Sequence, residues 1–337
     1  MNISPNMSLV QQRLLNDFQR GFPLTSEPFA RIADDLNTTT DEVLDTLRQL
    51  NEQGVVSRVG PVFRPNRVGV STLAAMSVPE SELEQVAAQV SAFDEVNHNY
   101  EREHALNLWF VLTAADKETL DASIQAIEGK TGYPVIALPM LKEYHIDLGF
   151  RMQLDSCSRL HDESGDVEGT CSRKQRSASA EEHDSDLIAA IQLGLPLVER
   201  PFFAVGEKLG LSEAAVIERI GAMQADGVIK RMGVVVRHHE LGYRSNAMMV
   251  LDVPDDQVEA IGWRLSAVDC VTLCYQRPRR LPQWPYNLFC MIHGKDRDDV
   301  LACIDDVINE LQLSGLQRAV LFSKRRFKQR GAVYRKI

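Results

Sequence analysis

Leu211-Ser212-Glu213-Ala214-Ala215-Val216-Ile217-Glu218-Arg219-Ile220, running on through Met223 to Asp226-Gly227-Val228-Ile229, is the stretch on which the fold turns. Ser212 stands where a helix N-cap belongs, with Glu213 in the first turn, where a carboxylate complements the helix dipole. Val216, Ile217, Ile220 and Met223 recur at helical spacing on one face, and Gly227 stops the helix. Val228-Ile229-Lys230-Arg231-Met232 then reads as a strand. Working outward, the first half of the chain says the same thing. Thr40, Val43, Leu44, Leu47 and Leu50 trace a second such helix, Gly54 stops it, and Val55-Val56-Ser57-Arg58-Val59 follows as the strand. Helices, a tight turn, a helix and a small β wing make a winged helix-turn-helix, and the sequence predicts two.

The duplication extends beyond these helices. Leu14, Gly21, Pro23, Pro28, Phe29, Gly54, Arg58, Gly60, Arg64 and Gly69 recur 173 positions on as Leu187, Gly194, Pro196, Pro201, Phe202, Gly227, Arg231, Gly233, Arg237 and Gly242. Small insertions then shift the register. Val78-Pro79 answers Val253-Pro254, Tyr100-Glu101-Arg102 answers Tyr275-Gln276-Arg277, and Asn107-Leu108-Trp109 answers Asn287-Leu288-Phe289. Near the ends, an insertion-free match pairs Lys142 with Lys324 and Gly149 with Gly331, setting Tyr144-His145 against Arg326-Phe327. A period this long is not a solenoid repeat, so it implies two fused homologous modules able to pair about a pseudo-two-fold axis.

After each helix-turn-helix, strands alternate with helices. Copy one predicts strands over 72–78, 96–100, 107–113 and 135–138, with helices over 80–91 and 117–128; copy two repeats the pattern from Asn246 to Phe322. The order βαββαβ is that of a ferredoxin-like split-βαβ sandwich. The fold class expected is α+β: two tandem copies of a winged helix-turn-helix plus a βαββαβ sandwich, forming a pseudo-dimer. The expected domains are 1–66 and 67–150 for copy one, a disordered linker over 151–185, and 186–239 and 240–337 for copy two. The linker follows from its Ser, Asp, Glu, Gly and Arg content, which cannot bury enough apolar surface to offset the entropy of ordering.

At 337 residues, 44% apolar and 25% charged, the chain has ordinary globular composition. No apolar run reaches membrane-spanning length and the start lacks a secretory signal pattern, so a cytoplasmic protein with no membrane partner is expected. The six cysteines form no CxxC pair and are read as free thiols rather than a zinc site or a disulfide framework. Charge is uneven. Residues 1–150 carry 11 Lys and Arg against 21 Asp and Glu, residues 186–337 carry 21 against 18, and the last twenty residues hold eight basic side chains and no acid. A cationic surface on a chain of net charge −10 suggests an anionic partner. That partner is not expected to be DNA. The helix from Asp41 to Glu52 carries Asp41, Glu42, Asp45 and Glu52 against Arg48, and its counterpart carries Glu213 and Glu218 against Arg219, which would bring carboxylates towards phosphates.

Chemistry concentrates in one hairpin of each copy. Copy one has Asn97-His98-Asn99-Tyr100-Glu101-Arg102-Glu103-His104-Ala105-Leu106-Asn107-Leu108-Trp109-Phe110. Copy two has Leu273-Cys274-Tyr275-Gln276-Arg277-Pro278-Arg279-Arg280, then Trp284-Pro285-Tyr286-Asn287-Leu288-Phe289-Cys290 after an insertion.

The helix-turn-helix stretch resembles the N-terminal domain of feast/famine (Lrp/AsnC-type) regulators, and the βαββαβ unit resembles their effector domain. Within that group, the His-Asn-Tyr-x-Arg-x-His and Asn-Leu-Trp-Phe stretch of copy one and the Tyr-x-Arg-Pro and Trp-Pro-Tyr-Asn-Leu-Phe stretch of copy two resemble the two partners of siroheme decarboxylases. Tyr144-His145-Ile146-Asp147-Leu148-Gly149-Phe150 and the Arg-rich segment ending in Arg330-Gly331 are similar to family endings. The resemblance implies a carboxy-lyase that removes two acetate carboxylates from siroheme to give didecarboxysiroheme, towards haem or dioxo-isobacteriochlorin haem. It implies no cofactor, with iron carried by the substrate.

Siroheme presents carboxylates around an apolar ring, so its site needs guanidinium and ammonium groups at the rim and a proton donor for the methylene left after carbon dioxide departs. His98, Tyr100, Arg102, His104, Tyr275 and Arg277 are the catalytic candidates. Asn107, Trp109, His145, Arg279, Arg280, Trp284, Tyr286, Asn287, Lys324, Arg325 and Arg326 are the substrate-binding candidates, with His104 or His145 as an axial ligand to the substrate's iron. The histidines belong to copy one and the extra arginines to copy two, which predicts one pocket drawing on both. The alternatives are a transcription regulator sensing a metabolite or tetrapyrrole, and a non-catalytic haem-binding protein; further association into a homodimer is open.

Overall fold

The computed structural model describes residues 7–64, 67–146, 178–236, 245–294 and 296–334. Each copy opens with three helices: α1 (Leu9–Asp17), α2 (Pro28–Leu36) and α3 (Thr40–Glu52) in copy one, α6 (Ala178–Ile191), α7 (Pro201–Leu209) and α8 (Glu213–Ala225) in copy two. The repeated Pro-Phe pairs are explained locally. Pro28 and Pro201 each take a first-turn position, where a missing N–H costs nothing, and Phe29 and Phe202 are fully buried beneath them. Ser212 caps α8 as expected, accepting from the Ala215 N–H at 3.2 Å; in copy one the cap is Thr39, accepting from the Glu42 N–H. Helix α6 starts at Ala178, so the last positions assigned to the linker are helical; Ala178, Ala180, Glu181 and Glu182 favour that state. The rest of the linker lies outside the described residues.

The predicted wings take a different form. Strand β1 (Val56–Phe63) of copy one pairs antiparallel with β7 (Ile229–Val236) of copy two, with Gly60 opposite Gly233. A lone strand leaves its backbone groups unpaired, and its duplicate supplies the complement. The loop after each first helix reinforces the exchange: Phe22 N–H donates to Met232 O, and Leu195 N–H donates to Val59 O. The helix-turn-helix halves therefore form one unit, and the two sandwiches form another.

In the sandwich unit, copy one supplies β2 (Val70–Met76), α4 (Leu83–Ser91), β3 (Val96–Arg102), β4 (Leu108–Ala114), α5 (Lys117–Thr131), β5 (Ile136–Pro139) and β6 (Lys142–Ile146). Copy two supplies β8 (Ser245–Leu251), α9 (Val258–Ser266), β9 (Val271–Gln276), β10 (Leu288–Gly294), α10 (Arg297–Glu310) and β11 (Arg318–Gln329). The strands hydrogen-bond in the order β5-β2-β4-β3-β11-β8-β10-β9-β6. Each copy's last strand crosses to the other. The first half of β11 pairs with β8 and its second half with copy one's β3, while β5 pairs with β2 and β6 with copy two's β9. Only Met140 and Leu141 separate β5 from β6, so the two ends of the strand order are joined by the chain.

Three cores result. One lies under α4 and α5, a second under α9 and α10, and a third joins the other faces of both halves: Leu73, Trp109, Leu138, Met248, Tyr275, Trp284, Tyr286, Phe289 and Leu321. Each large apolar side chain so buried stabilises the fold by roughly 1.5–3 kcal/mol.

The sheet also corrects the alignment of the two endings. Arg325 pairs with Glu101 and Arg326 with Tyr100, while Lys142 pairs with Gln276 and Glu143 with Tyr275. Lys142 is thus the counterpart of Arg325, Tyr144 of Phe327 and His145 of Lys328, one residue from the sequence match. A one-residue slip moves every side chain to the opposite face, so burial outweighs the Lys-Lys and Gly-Gly coincidences. Tyr144 packs in the core of copy two and Phe327 against that of copy one. One expectation about cysteine also changes, while for Cys274 and Cys290 the reading as free thiols holds. Cys270 and Cys303 form a disulfide between the α9–β9 turn and α10, a pairing that no sequence spacing announces, and Cys274 and Cys290 are buried thiols facing each other across β9 and β10. Cys157 and Cys171 lie outside the described residues.

Candidate functional site

Strand alternation divides the copy-one hairpin between two faces. His98, Tyr100 and Arg102 point to the side of the shared aromatic core; Asn99 and Glu101 point to the helices. His98 stacks on Tyr100 with ring centroids 6.2 Å apart, and Arg326 lies opposite Tyr100 in the neighbouring strand, donating to Gln329. Arg102 sits over Tyr100, buried, and donates to Leu321 O at 2.9 Å, two residues before β11 begins to pair with β3. Its counterpart Arg277 lies 4.6 Å over the buried Tyr275 ring and donates to Leu138 O, the equivalent position of β5. Neither guanidinium has a carboxylate partner among the described residues. Burial lowers both pKa values, but a guanidinium has so much margin that both stay charged.

At the open end of this hairpin lies a cleft of about 380 Å³ lined by Glu80, Leu83, Glu101, Arg102, Glu103, His104, Asn107 and Lys324. Four sequence candidates, Arg102, His104, Asn107 and Lys324, are brought together there. His104 is half-buried, and burial holds its pKa below the usual histidine value. Its Nδ1 accepts the Leu106 N–H at 3.0 Å, which assigns the hydrogen of the neutral ring to Nε2. The Trp284 ring stands edge-on to it at 5.4 Å. Asn107 holds the backbone: Val78 N–H donates to its Oδ1 and its Nδ2 donates to Val78 O. Asn287 makes the same latch to Val253 in copy two.

Glu101, Glu103 and Glu80 were not singled out by sequence, although Glu101 sits inside the Tyr-Glu-Arg motif. Burial alone would raise the Glu101 pKa, but Lys324 at 2.7 Å and Arg325 at 2.5 Å bring it below the ordinary carboxylate value. Glu103 accepts a two-pronged bond from Arg297 of α10, at 2.9 and 2.8 Å. Among the described residues, Lys324 and Arg325 pair with Glu101 and Arg297 pairs with Glu103, while Arg102 adds a fourth cation that pairs with none of the lining acids.

The remaining candidates lie away from this cleft or are held by other partners. Trp109, Trp284 and Tyr286 lie in the shared core and are not among the residues that line the copy-one cleft; large aromatic surface is more stable between two sheets than beside water. Arg279 is committed to Asp252 at 2.6 Å and Asp255 at 2.5 Å, and Arg280 to Ala137 O at 2.9 Å, so neither reaches the copy-one cleft. His145, on β6, pairs with Cys274 of β9, apart from His98 and His104 on and beside β3. The basic ending of the chain meets acids of copy one rather than forming a free cationic face: Arg325 also bonds Glu84, and Arg330 bonds the Asp94 backbone. Among the described residues, no His, Cys, Asp and Glu cluster could hold a metal ion, and no helix is long and apolar enough to cross a membrane.

This arrangement defines a duplicated AsnC-like protein with a cleft at a sandwich hairpin. The AsnC-like ligand binding domain matches residues 67–145 and 240–328, and the siroheme decarboxylase NirDL-like HTH domain matches 11–56 and 184–230. The siroheme decarboxylase NirDL subunit of Paracoccus pantotrophus is 43% identical over 96% of this chain and 97% of its own length. The siroheme decarboxylase of Hydrogenobacter thermophilus is 32% identical over 94% and 92%. The crystal structure of a siroheme decarboxylase NirDL in complex with an iron-uroporphyrin III analogue superposes with a TM-score of 0.67 at 27% identity, over 96% of this chain and 93% of that one. The chain belongs to the siroheme decarboxylase NirDL family.

Proposed function

We propose that this chain is a siroheme decarboxylase, a carboxy-lyase that converts two acetate arms of siroheme to methyl groups. The observation that carries the reading is Arg102: a buried guanidinium with no carboxylate of its own lines a cleft that also holds a half-buried imidazole. An uncompensated buried cation is costly, and a substrate carboxylate supplies the missing charge. Arg102 and Lys324 bind carboxylate arms, and the His104 Nε2–H hydrogen-bonds them. The cleft is at the small end of ligand pockets, so it takes one edge of the macrocycle with its arms.

In each half-reaction the bond between the acetate methylene and its carboxylate breaks. Carbon dioxide leaves, the electron pair passes into the conjugated ring, and a proton added to the methylene carbon completes the methyl. The balance is one carboxylate plus one proton giving one methyl and carbon dioxide, which needs no oxidant; the iron belongs to the substrate. The proton comes from the imidazolium form of His104, which forms when the negative charge of a bound substrate raises the ring's pKa and Nδ1 takes up a proton, giving up its bond from the Leu106 N–H. Glu103, clamped by Arg297, fixes the adjacent backbone. The acidic surfaces of α3 and α8 favour this reading over DNA recognition.

Anaerobic incubation of the purified chain with siroheme, followed by product mass, tests the proposal. Loss of two carbon dioxide units is expected. A shifted absorbance spectrum without mass change would establish a carrier, and salt-sensitive promoter binding would establish a regulator.

A further inference from the structure

The pseudo-symmetry gives every residue of the copy-one cleft a counterpart in copy two. By sheet register and helix position, Glu80 corresponds to Asp255, Leu83 to Val258, Glu101 to Gln276, Arg102 to Arg277, Asn107 to Asn287 and Lys324 to Leu141. Two residues beyond the buried arginine, copy one has His104 and copy two has Arg279. The two places differ in one decisive respect. In copy one, His104 and Glu80 both line an open cleft. In copy two, the Arg279 guanidinium spans the gap. Nη1 reaches Asp255 Oδ1 at 2.5 Å, Nη2 and Nε reach Asp252 Oδ1 at 2.6 and 2.8 Å, and Nη2 also meets Val253 O. Asn287 adds a 3.4 Å bond to the same Asp255 oxygen.

We infer that the chain has one tetrapyrrole-carboxylate site, in copy one, and that Arg279 is a built-in stopper that seals its counterpart in copy two. The inference rests on the functional reading above and deepens it.

Chemistry supports the division. Arg279 satisfies its donors with acids of its own copy, so an incoming carboxylate would have to displace two of them, and displacing a hydrogen-bonded ion pair exposes charges of the wrong sign for an anionic ligand. The exposed cation Lys324 has no equivalent there, because Leu141 stands in its place, 59% exposed. Asp252 is also specific to the sealed side: its counterpart is Ser77. Three separate positions, 141, 252 and 279, therefore differ in the direction that abolishes anion binding in copy two, while the latch Asn287 and the buried Arg277, which hold the fold, are kept.

The test is calorimetric titration of the full chain with iron uroporphyrin III, with Lys324→Ala and Arg279→Ala measured alongside. One equivalent per chain is expected. Its affinity should fall about tenfold or more in Lys324→Ala, which loses a charge-assisted contact, and should be unchanged in Arg279→Ala. Two equivalents in the unaltered chain would overturn the single site while leaving the functional reading intact. One equivalent that Arg279→Ala weakens and Lys324→Ala spares would put the site in copy two and overturn the assignment of Arg279. No binding at all would sink the functional reading and this inference with it. As a positive counterpart, the triple variant Arg279→His, Asp252→Ser, Leu141→Lys should gain a second equivalent; a folded triple variant that still binds one would show that Arg279 is not the stopper.

Discussion

Tyr144 of copy one lies flat against Gly262 of copy two: a Cβ at position 262 would stand 2.6 Å from its Cδ2 and Cζ atoms. The corresponding helix position in copy one is Ala87, beside Phe327. The copies thus exchange one aromatic each, but Tyr144 is the more deeply buried and needs a helix residue without a side chain. Its hydroxyl contacts Gln276 Oε1 at 3.4 Å, and burial raises its pKa to about 12. Gly262→Ala should therefore destabilise the sandwich unit by about 1–3 kcal/mol, the usual cost of overpacking, despite the better helix propensity of alanine. Urea unfolding would show a lower midpoint at unchanged slope, and the double variant with Tyr144→Ala should lose less than the sum, because the clash is gone.

His104 gives a pH dependence with a definite sign. Burial lowers its folded pKa below the unfolded value of 6.5, so between the two the unfolded chain binds the extra proton. Its contribution to stability is therefore complete above pH 6.5 and declines as pH falls through that window. His104→Gln should flatten this part of the stability profile measured by chemical unfolding at several pH values; an unchanged slope would show that the imidazole is not held neutral.

Glu101 behaves oppositely in range, though not in direction. Its folded pKa lies below 4.5, so its stabilisation is present above that value and is lost as pH falls through the folded pKa. Glu101→Gln removes a buried carboxylate that ties β3 to the crossing strand. Lys324 and Arg325 are half-exposed and can return to water, so the cost should be about 1.5 kcal/mol, near the low end for a hydrogen bond to a charged group. Thermal unfolding in low and high salt checks it: a buried carboxylate screened from ions should leave the difference nearly independent of salt.

What the sequence disclosed and what it withheld follow from the range of the interactions. Ser212, Gly227, Pro28 and Pro201 act on their own turn of chain, so the helices and their ends were legible. The alternation around Tyr100 and Trp109 made β3 and β4 legible for the same reason. The crossing of β6 and β11 was not, because pairing of Arg326 with Tyr100 is a long-range choice that local pattern leaves open, and misalignment by one residue exchanged the faces of Tyr144 and His145. The basic ending looked like a free cationic patch because its acidic partners, Glu84 and Glu101, lie more than 200 positions earlier. At the site, Arg102, His104, Asn107 and Lys324 were recognisable as chemistry-bearing types, whereas the commitment of Arg279 to Asp252 and Asp255 needed three-dimensional proximity to be seen. Trp109, Trp284 and Tyr286 were ambiguous because an aromatic suits a core and a macrocycle equally well.

Trp284 separates packing from hydrogen bonding. It is supplied by the copy-two insertion, and its ring centroid lies 5.0 Å from those of Trp109 and Tyr286 and 5.4 Å from that of His104, yet its buried Nε1–H has no hydrogen-bond partner among the described residues. Trp284→Ala opens a cavity between the sheets and should cost about 3–5 kcal/mol. Trp284→Phe removes the unsatisfied N–H, a gain of roughly 1–3 kcal/mol that offsets part of the lost volume, so it should be far milder. Equal losses in both variants would show that the indole N–H has a partner after all. The alanine variant also removes the wall that keeps water from the imidazole, so the His104 pKa should rise towards 6.5, readable from its ring proton shifts by NMR, while in Trp284→Phe it should stay low.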